Sequence, residues 1–293
     1  MGHLVMSSPD PVAAAKDLAE ISGVRITEQT GDTVHLSTNA RHHEVTYVKG
    51  EGNEGKVVLI GLEAVSPDAV DEVARRVKSD GLTILSDRPF SRYYEKAVRF
   101  VAPGGPIFEV HTPVKRDQPL AYGGHGPRQR RLEHVNTFVP DAAAFGDFCE
   151  KLLGLRLSDQ TADGNFRWYR AQDGFHHTLA MGAVPGPSHM HHYAFDLHAM
   201  QDLVLIADNL NTKGRALAWG PGRHGAGGNI FTYYADPLGC IVENSVEMDR
   251  IDSDANYEAR IWDNSLGLAS PWINLWGAPP TPTFTVPGIA FTE

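Results

Sequence analysis

The run HLVMSSPDPVAAAKDLAEISGVRI (3–26) lies over HVNTFVPDAAAFGDFCEKLLGLRL (134–157) without a gap, at an offset of 131. Pro9-Asp10 falls on Pro140-Asp141, Gly23 on Gly154 and Arg25 on Arg156. Further along, Arg41-His42-His43 matches Phe175-His176-His177, and APGGPIFE (102–109) matches DPLGCIVE (236–243), both at an offset of 134. Such self-similarity has to be read before any local element, because it fixes the architecture. The chain carries two copies of one design.

Each copy divides again. A short apolar strand (3–7 or 132–139) runs into Pro-Asp and an Ala-rich stretch with helical period (11–20 or 141–152). Gly23 and Gly154 fit helix C-caps. Alternating segments follow at Thr33–Ser37, Glu44–Val48, Asn165–Tyr169 and Thr178–Met181, as strands require. A second unit of the same kind begins near Val57 and near His191. Its helices are expected at Pro67–Lys78 and Met200–Lys213, ending at Gly81 and Gly214. The expected fold is therefore α+β, with four βαβββ units in two domains, 1–113 and 132–250. Residues 114–131 (VKRDQPLAYGGHGPRQRR) read as a Gly/Pro/basic linker. The tail, 251–293, holds Trp262, Trp272 and Trp276 and many prolines. It is too apolar to be free and is expected to pack back on the body, its tryptophans as packing residues.

Composition narrows the function. The 293 residues are 42% hydrophobic and 21% charged, so wholesale disorder is excluded. The formal charge of −10 argues against nucleic acid or anionic membrane as partner, since phosphate affinity needs a positive surface. Cys149 and Cys240 make no disulfide framework and no cysteine-type zinc site. No apolar run reaches the roughly 18 residues of a membrane span. The N-terminus lacks a basic-then-apolar leader pattern, so a soluble cytoplasmic protein is expected. Histidine stands out at 14 residues, and it is the commonest metal ligand and acid/base group.

The second copy gathers chemistry-bearing residues. LEHVN (132–136) opens its first unit, HMHHYAFDL (189–197) opens its second, and CIVENS (240–245) closes it. Glu243 lies in a strand between apolar neighbours, where a carboxylate is costly unless paired or metal-bound. Two histidines and one carboxylate with open positions suit non-haem Fe(II). His134, His192 and Glu243 form such a set if the two units face one cavity. The first copy offers His3 and Glu109, but Leu59 falls at the His192 position. His3 and Glu109 thus read as remnants, and the metal is expected in the second copy only. His35, His111, His125, His189 and His198 belong to no motif and read as surface or locally hydrogen-bonded.

Five motifs in order, LEHVN, HHTLAM (176–181), HHYAF (191–195), GPGRHG (220–225) and YYADPLGCIVE (233–243), make the chain resemble the type I extradiol ring-cleaving dioxygenases of the vicinal oxygen chelate superfamily. The resemblance covers roughly residues 1–250. It implies two domains with mixed, cupped sheets, the second catalytic, commonly as homo-oligomers. It implies Fe(II), with Mn(II) as alternative, held by His134, His192 and Glu243. It further implies His177 as the acid/base, His224 and Tyr233 beside the substrate oxygen, and Asn136 in the pocket. The doublets His176/His177, His191/His192 and Tyr233/Tyr234 leave open which member faces the site, although even spacing from Glu243 favours Tyr233. The implied reaction is extradiol cleavage of a catechol with O2, giving a hydroxymuconic-semialdehyde-type product. Homoprotocatechuate enzymes carry an Arg just before the GPGRHG motif, which pairs with a substrate carboxylate. Here Trp219 stands there, so an apolar or aromatic ring substituent is expected, with Trp168 and Tyr169 lining the same pocket. The rival readings are a glyoxalase- or epimerase-like metalloenzyme and a non-catalytic binding protein on the same fold.

Overall fold

The computed structural model describes residues 1–119, 126–282, 284–285 and 288–292. Four times the chain lays down a strand, a helix and three strands. The first unit is β1 (His3–Ser8), α1 (Pro11–Ser22), β2 (Arg25–Thr30), β3 (Thr33–Ser37) and β4 (Val45–Lys49). The second is β5 (Lys56–Glu63), α2 (Pro67–Ser79), β6 (Ile84–Ser86), β7 (Ala97–Val101) and β8 (Ile107–His111). The third is β9 (Gln129–Val139), α3 (Ala142–Asp147), β10 (Arg156–Thr161), β11 (Phe166–Arg170) and β12 (Leu179–Ala183). The fourth is β13 (His189–Leu197), α4 (Met200–Thr212), β14 (Trp219–Arg223), β15 (Ile230–Ala235) and β16 (Ile241–Val246). Strand β9 begins inside the expected linker, and part of that linker, with His125, lies outside the described residues. Among the described residues no helix is long and apolar enough to cross a membrane.

The helix ends follow from side-chain chemistry. Asp10 accepts the Ala13 N–H at 2.9 Å, and Pro11 follows in the first turn, where its missing N–H is harmless. Gly23 ends α1 at φ 73°, a conformation open to glycine without Cβ strain, and donates to the Ala19 carbonyl. Asp141 caps α3 in the same way. The copies then differ: α3 widens into a π turn over Phe148–Leu152 before Gly154. That turn sets Phe148 against Phe108 and Phe100 of the first sheet, at ring separations of 5.3 and 6.0 Å. It is one of the contacts between the two halves of the chain.

Each sheet is assembled by antiparallel pairing of the lead strands, β1 with β5 and β9 with β13. The last strand of each unit returns parallel to its lead strand. The sheets are mixed, as expected. Their orders are β2-β3-β4-β1-β5-β8-β7-β6 and β14-β15-β16-β13-β9-β12-β11-β10. The tail adds β17 (Arg260–Trp262) beside β10 and β18 (Ile289–Ala290) beside β13, and Thr292 donates to Val57 in the first domain. The tail thus pairs with strands of both sheets.

Register decides which side chains share a face, because directly paired residues point the same way. Tyr234, Val242, Tyr193, Val135, Leu179 and Tyr169 form one row across six strands, and all six belong to the main hydrophobic core. The adjoining row carries Trp219, Tyr233, Glu243, Ala194 and His134, on the opposite face. The small Ala194 leaves room between Glu243 and His134.

Candidate metal centre

His134 on β9, His192 on β13 and Glu243 on β16 converge with their side chains almost wholly buried. His134 Nε2 lies 3.3 Å from His192 Nε2 and 3.1 Å from Glu243 Oε2, and His192 Nε2 lies 3.2 Å from the same oxygen. With metal–ligand bonds of about 2.1 Å, ligands sit about 3.0 Å apart at cis positions of an octahedron and about 3.4 Å apart in a tetrahedron. The triangle fits a divalent ion in either setting, and its donor set suits Fe, Mn or Zn. Burial alone would raise the Glu243 pKa, yet the two imidazoles hold it well below the usual carboxylate range. Burial pulls His134 down, but Glu243 and Glu133 hold it up at about 9. An imidazolium proton and a metal cation compete for this space.

Each of the three donors is held from behind. Glu133 Oε2 lies 3.2 Å from His134 Nδ1 and also accepts the Ser245 hydroxyl at 2.7 Å. His191 Nδ1 lies 2.7 Å from His192 Nδ1. Asn229 Nδ2 donates to Glu243 Oε1 at 2.9 Å. Strand alternation forbids two adjacent residues on one face, and two register shifts lift that rule here. The β9–β13 ladder slips between Met190 and His192 and between Ala194 and Phe195, which leaves His191 and Glu133 unpaired. Such bulges re-aim side chains beside functional sites. His191 therefore lines the cavity together with His192.

His177 packs against His134 at a ring separation of 4.3 Å. Its Nδ1 lies 3.0 Å from His176 Nδ1, and His176 Nε2 lies 3.2 Å from buried Asp159. Asp159 also accepts the Trp262 indole N–H and the Tyr257 hydroxyl. Burial, with His134 and His176 beside it, pushes the His177 pKa well down, so the ring is neutral and readily gives back any proton it accepts. His224 makes a short hydrogen bond to the Ile273 carbonyl through Nδ1, and its Nε2 accepts the Tyr233 hydroxyl at 2.8 Å. Burial holds His224 down at about 4.

The donors open onto a cavity of about 500 Å³. His177, His224, Tyr233, Asn136, Trp168 and Trp219 all line it. Tyr169 does not: it lies in the row that faces the helices, one residue from Trp168, and is fully buried in the core. The expectation that both residues line the pocket breaks on strand alternation. Tyr234 likewise points away and shares a hydrogen bond with Ser22. The tail supplies Leu268, Trp272, Ile273, Pro280, Phe284 and Thr285 to the cavity wall. Trp272 is thus more than a packing residue. Tail carbonyls also accept from cavity side chains: Ala278 from the Trp219 indole at 2.8 Å and Phe284 from His191 Nε2 at 2.8 Å. Among the described lining residues Glu243 is the only carboxylate, and none is Lys or Arg. Asn136 Oδ1 and Trp272 Nε1 have no hydrogen-bond partner, which leaves an acceptor and a donor for a ligand.

The first copy is arranged otherwise. Glu109 accepts from Arg99 at 2.7 Å, from the Tyr94 hydroxyl and from the Phe90 N–H at 3.2 Å. A guanidinium neutralises this acid, and His3 Nε2 stands 3.8 Å away from it. His35 and His111, read from sequence as surface or local, are in fact buried among other rings, although each makes one local hydrogen bond.

Comparison with known proteins agrees with this geometry. Residues 131–243 match the model of the Glyoxalase/Bleomycin resistance protein/Dioxygenase superfamily. The chain is 30% identical over 201 residues to a 3-methylcatechol 2,3-dioxygenase from Pseudomonas putida, covering 64% of this chain and 69% of the relative. It is 25% identical over 258 residues to a manganese-dependent 2,3-dihydroxybiphenyl 1,2-dioxygenase from Geobacillus genomosp. 3, covering 80% of this chain and 81% of the relative. The Mn(II)-bound glyoxalase from Novosphingobium aromaticivorans superposes with a TM-score of 0.86 at 24% identity, over 99% of this chain and 94% of that one. That likeness shows the fold, which hosts more than one chemistry. The chain belongs to the extradiol dioxygenases of this superfamily, metal-dependent oxidoreductases built from paired βαβββ units.

Proposed function

We propose that the chain opens the ring of a catechol carrying an apolar or aromatic substituent, beside the two hydroxyls, with Fe(II) held by His134, His192 and Glu243. Mn(II) is the second reading, favoured by the manganese-dependent relative. The observation that carries the substrate is the wall of the cavity: Trp168, Trp219, Trp272, Phe138, Phe166 and Phe284, with no cation among the described lining residues to meet a substituent carboxylate. Burial of such a substituent against aromatic walls stabilises binding by about 25 cal/mol per Å² of apolar surface.

A redox-active divalent ion held there supplies acidity for the catechol hydroxyls and a path for electrons between ring and O2. The protein's own groups do the rest. Tyr233 and His224 form a linked hydroxyl–imidazole pair that holds a ring oxygen and takes up its proton. His177, neutral and walled from solvent, accepts a proton on the oxygen side of the reaction and gives it back. The aromatic walls exclude water and fix the plane of the ring. The atoms balance as one catechol plus one O2 giving one hydroxymuconic-semialdehyde-type product, with no external reductant.

The test is oxygen uptake by Fe(II)-loaded protein over a panel of catechols. Alkyl- and aryl-substituted catechols should turn over with higher kcat/KM than carboxylate-bearing ones. The reverse ranking would overturn the substrate reading, and no uptake with any catechol would overturn the activity.

A further inference from the structure

Outside the catalytic cavity, the first domain holds a second gathering of imidazoles. His35 on β3 and His42 and His43 in the turn before β4 each offer a ring nitrogen within 4.8 Å of those of the other two. Their ring centroids are 4.7, 5.3 and 5.4 Å apart. The structure contains its own ruler for such a group: the rings of His134 and His192 stand 5.4 Å apart, with nitrogens 3.3 Å apart. His42 Nδ1 and His43 Nδ1 are 3.2 Å apart.

We propose that His35, His42 and His43 bind a second divalent transition-metal ion of the zinc class, as a structural clamp on the first domain. Ligating histidines are oriented by a partner on the other ring nitrogen, and all three have one. His35 Nδ1 meets the Thr46 hydroxyl at 2.9 Å, His42 Nε2 lies 3.5 Å from Glu28 Oε2, and His43 Nε2 lies 3.2 Å from His3 Nδ1. Those contacts leave Nε2 of His35 and Nδ1 of His42 and His43 for a cation. Tyr93 stacks on His42 at a ring separation of 3.4 Å and donates to Glu28 at 2.7 Å, so the carboxylate behind His42 is itself held. Burial lowers the pKa of His35 to about 4 and of His43 to about 2, so both are unprotonated and ready to ligate at neutral pH. A donor set of three imidazoles and no carboxylate favours zinc-class ions over Mg2+, Ca2+ or Mn2+. The ion would tie β3 to the turn before β4 and, through His3, to β1. This site is separate from the remnant acid, because Glu109 is already neutralised by Arg99.

The test counts metal on the full-length protein. Chelator-stripped chain is dialysed against micromolar Zn2+ and the bound metal measured per chain. Wild type should hold two equivalents. The double variant His134→Ala/Glu243→Ala should hold one, and its melting temperature should rise with added Zn2+. Adding His42→Phe, which keeps a ring for Tyr93 to stack on, should remove both the equivalent and the rise. A double variant that binds no zinc, or only at millimolar concentration, would overturn the proposal whether or not the triple variant folds. In the otherwise wild-type chain, His42→Phe should keep its Fe(II)-dependent oxygen uptake within twofold. Loss of zinc from both sites together would also contradict the assignment.

Discussion

His191 stands between the tail and the candidate ligand His192: its Nε2 meets the Phe284 carbonyl at 2.8 Å and its Nδ1 meets His192 Nδ1 at 2.7 Å. A carbonyl can only accept, so the His191 proton sits on Nε2. Nδ1 of His191 then accepts from Nδ1–H of His192, and the lone pair of His192 is left on Nε2, toward His134 and Glu243. The tail thereby sets the tautomer of a candidate metal ligand. His191→Ala should weaken metal affinity about 10- to 100-fold, the usual range for such supporting groups. Competition with a fluorescent chelator measures it, and unchanged affinity would contradict the role.

Glu133 does the same for His134 through a carboxylate. Glu133→Ala also strands the Ser245 hydroxyl, which has Glu133 as its acceptor. The expected loss of metal affinity is again about 10- to 100-fold, with the fold retained by circular dichroism. A variant that keeps full affinity would show that His134 needs no such support.

His177 faces the cavity but lies outside the converging triad. His177→Phe should keep the metal content of the wild type and lose turnover by about 10²- to 10⁴-fold, the usual contribution of a positioned acid/base. Asp159→Ala, which removes the acceptor behind His176, should lower kcat by less while leaving metal content unchanged. Equal metal and unchanged kcat in both would refute the proton-holding role.

Trp219 stacks on Tyr233 with planes 9° apart and forms part of the cavity wall. Trp219→Arg should shift the kcat/KM ratio toward a carboxylate-bearing catechol about tenfold, the size of one charge-assisted hydrogen bond. No change in the ratio would place the substituent elsewhere in the cavity.

Acid should unfold the metal-free first domain early. Burial depresses the pKa of His35 and His111 to about 4 and that of His43 to about 2. The unfolded chain binds these protons near pH 6.5, the folded chain only at lower pH, so their stability is present above 6.5 and lost as pH falls toward 4. Urea midpoints of stripped protein should be lower at pH 5 than at pH 8. Equal midpoints would contradict the burial of these rings.

Much of this was legible in the sequence because the repeat aligns without a gap over His3 and His134, which fixes four βαβββ units and their capping glycines. The choice of Tyr233 over Tyr234 follows the even spacing from Glu243, and the β15–β16 ladder pairs the two residues. Two things resisted. Alternation cannot foresee the bulges at Glu133 and His191, whose register shifts depend on three-dimensional pairing, so the sequence offers His191 only as a rival to His192 and gives no sign of Glu133. Alternation does separate Trp168 from Tyr169, so only one of the two can line the pocket, and the ladder puts Tyr169 in the core. Trp272 and Phe284 belong to a tail without periodicity, so only its apolar content signalled that it packs, and nothing signalled where.

The fate of O2 separates ring opening from every other chemistry of this fold. Protein reconstituted anaerobically with Fe(II) is mixed with 3-phenylcatechol and O2, and oxygen uptake and product mass are followed together. The prediction is one O2 consumed per catechol and a yellow ring-opened product heavier by both oxygen atoms, abolished in Glu243→Ala. Metal-loaded protein that consumes no O2, or a product that gains a single oxygen atom, would contradict it.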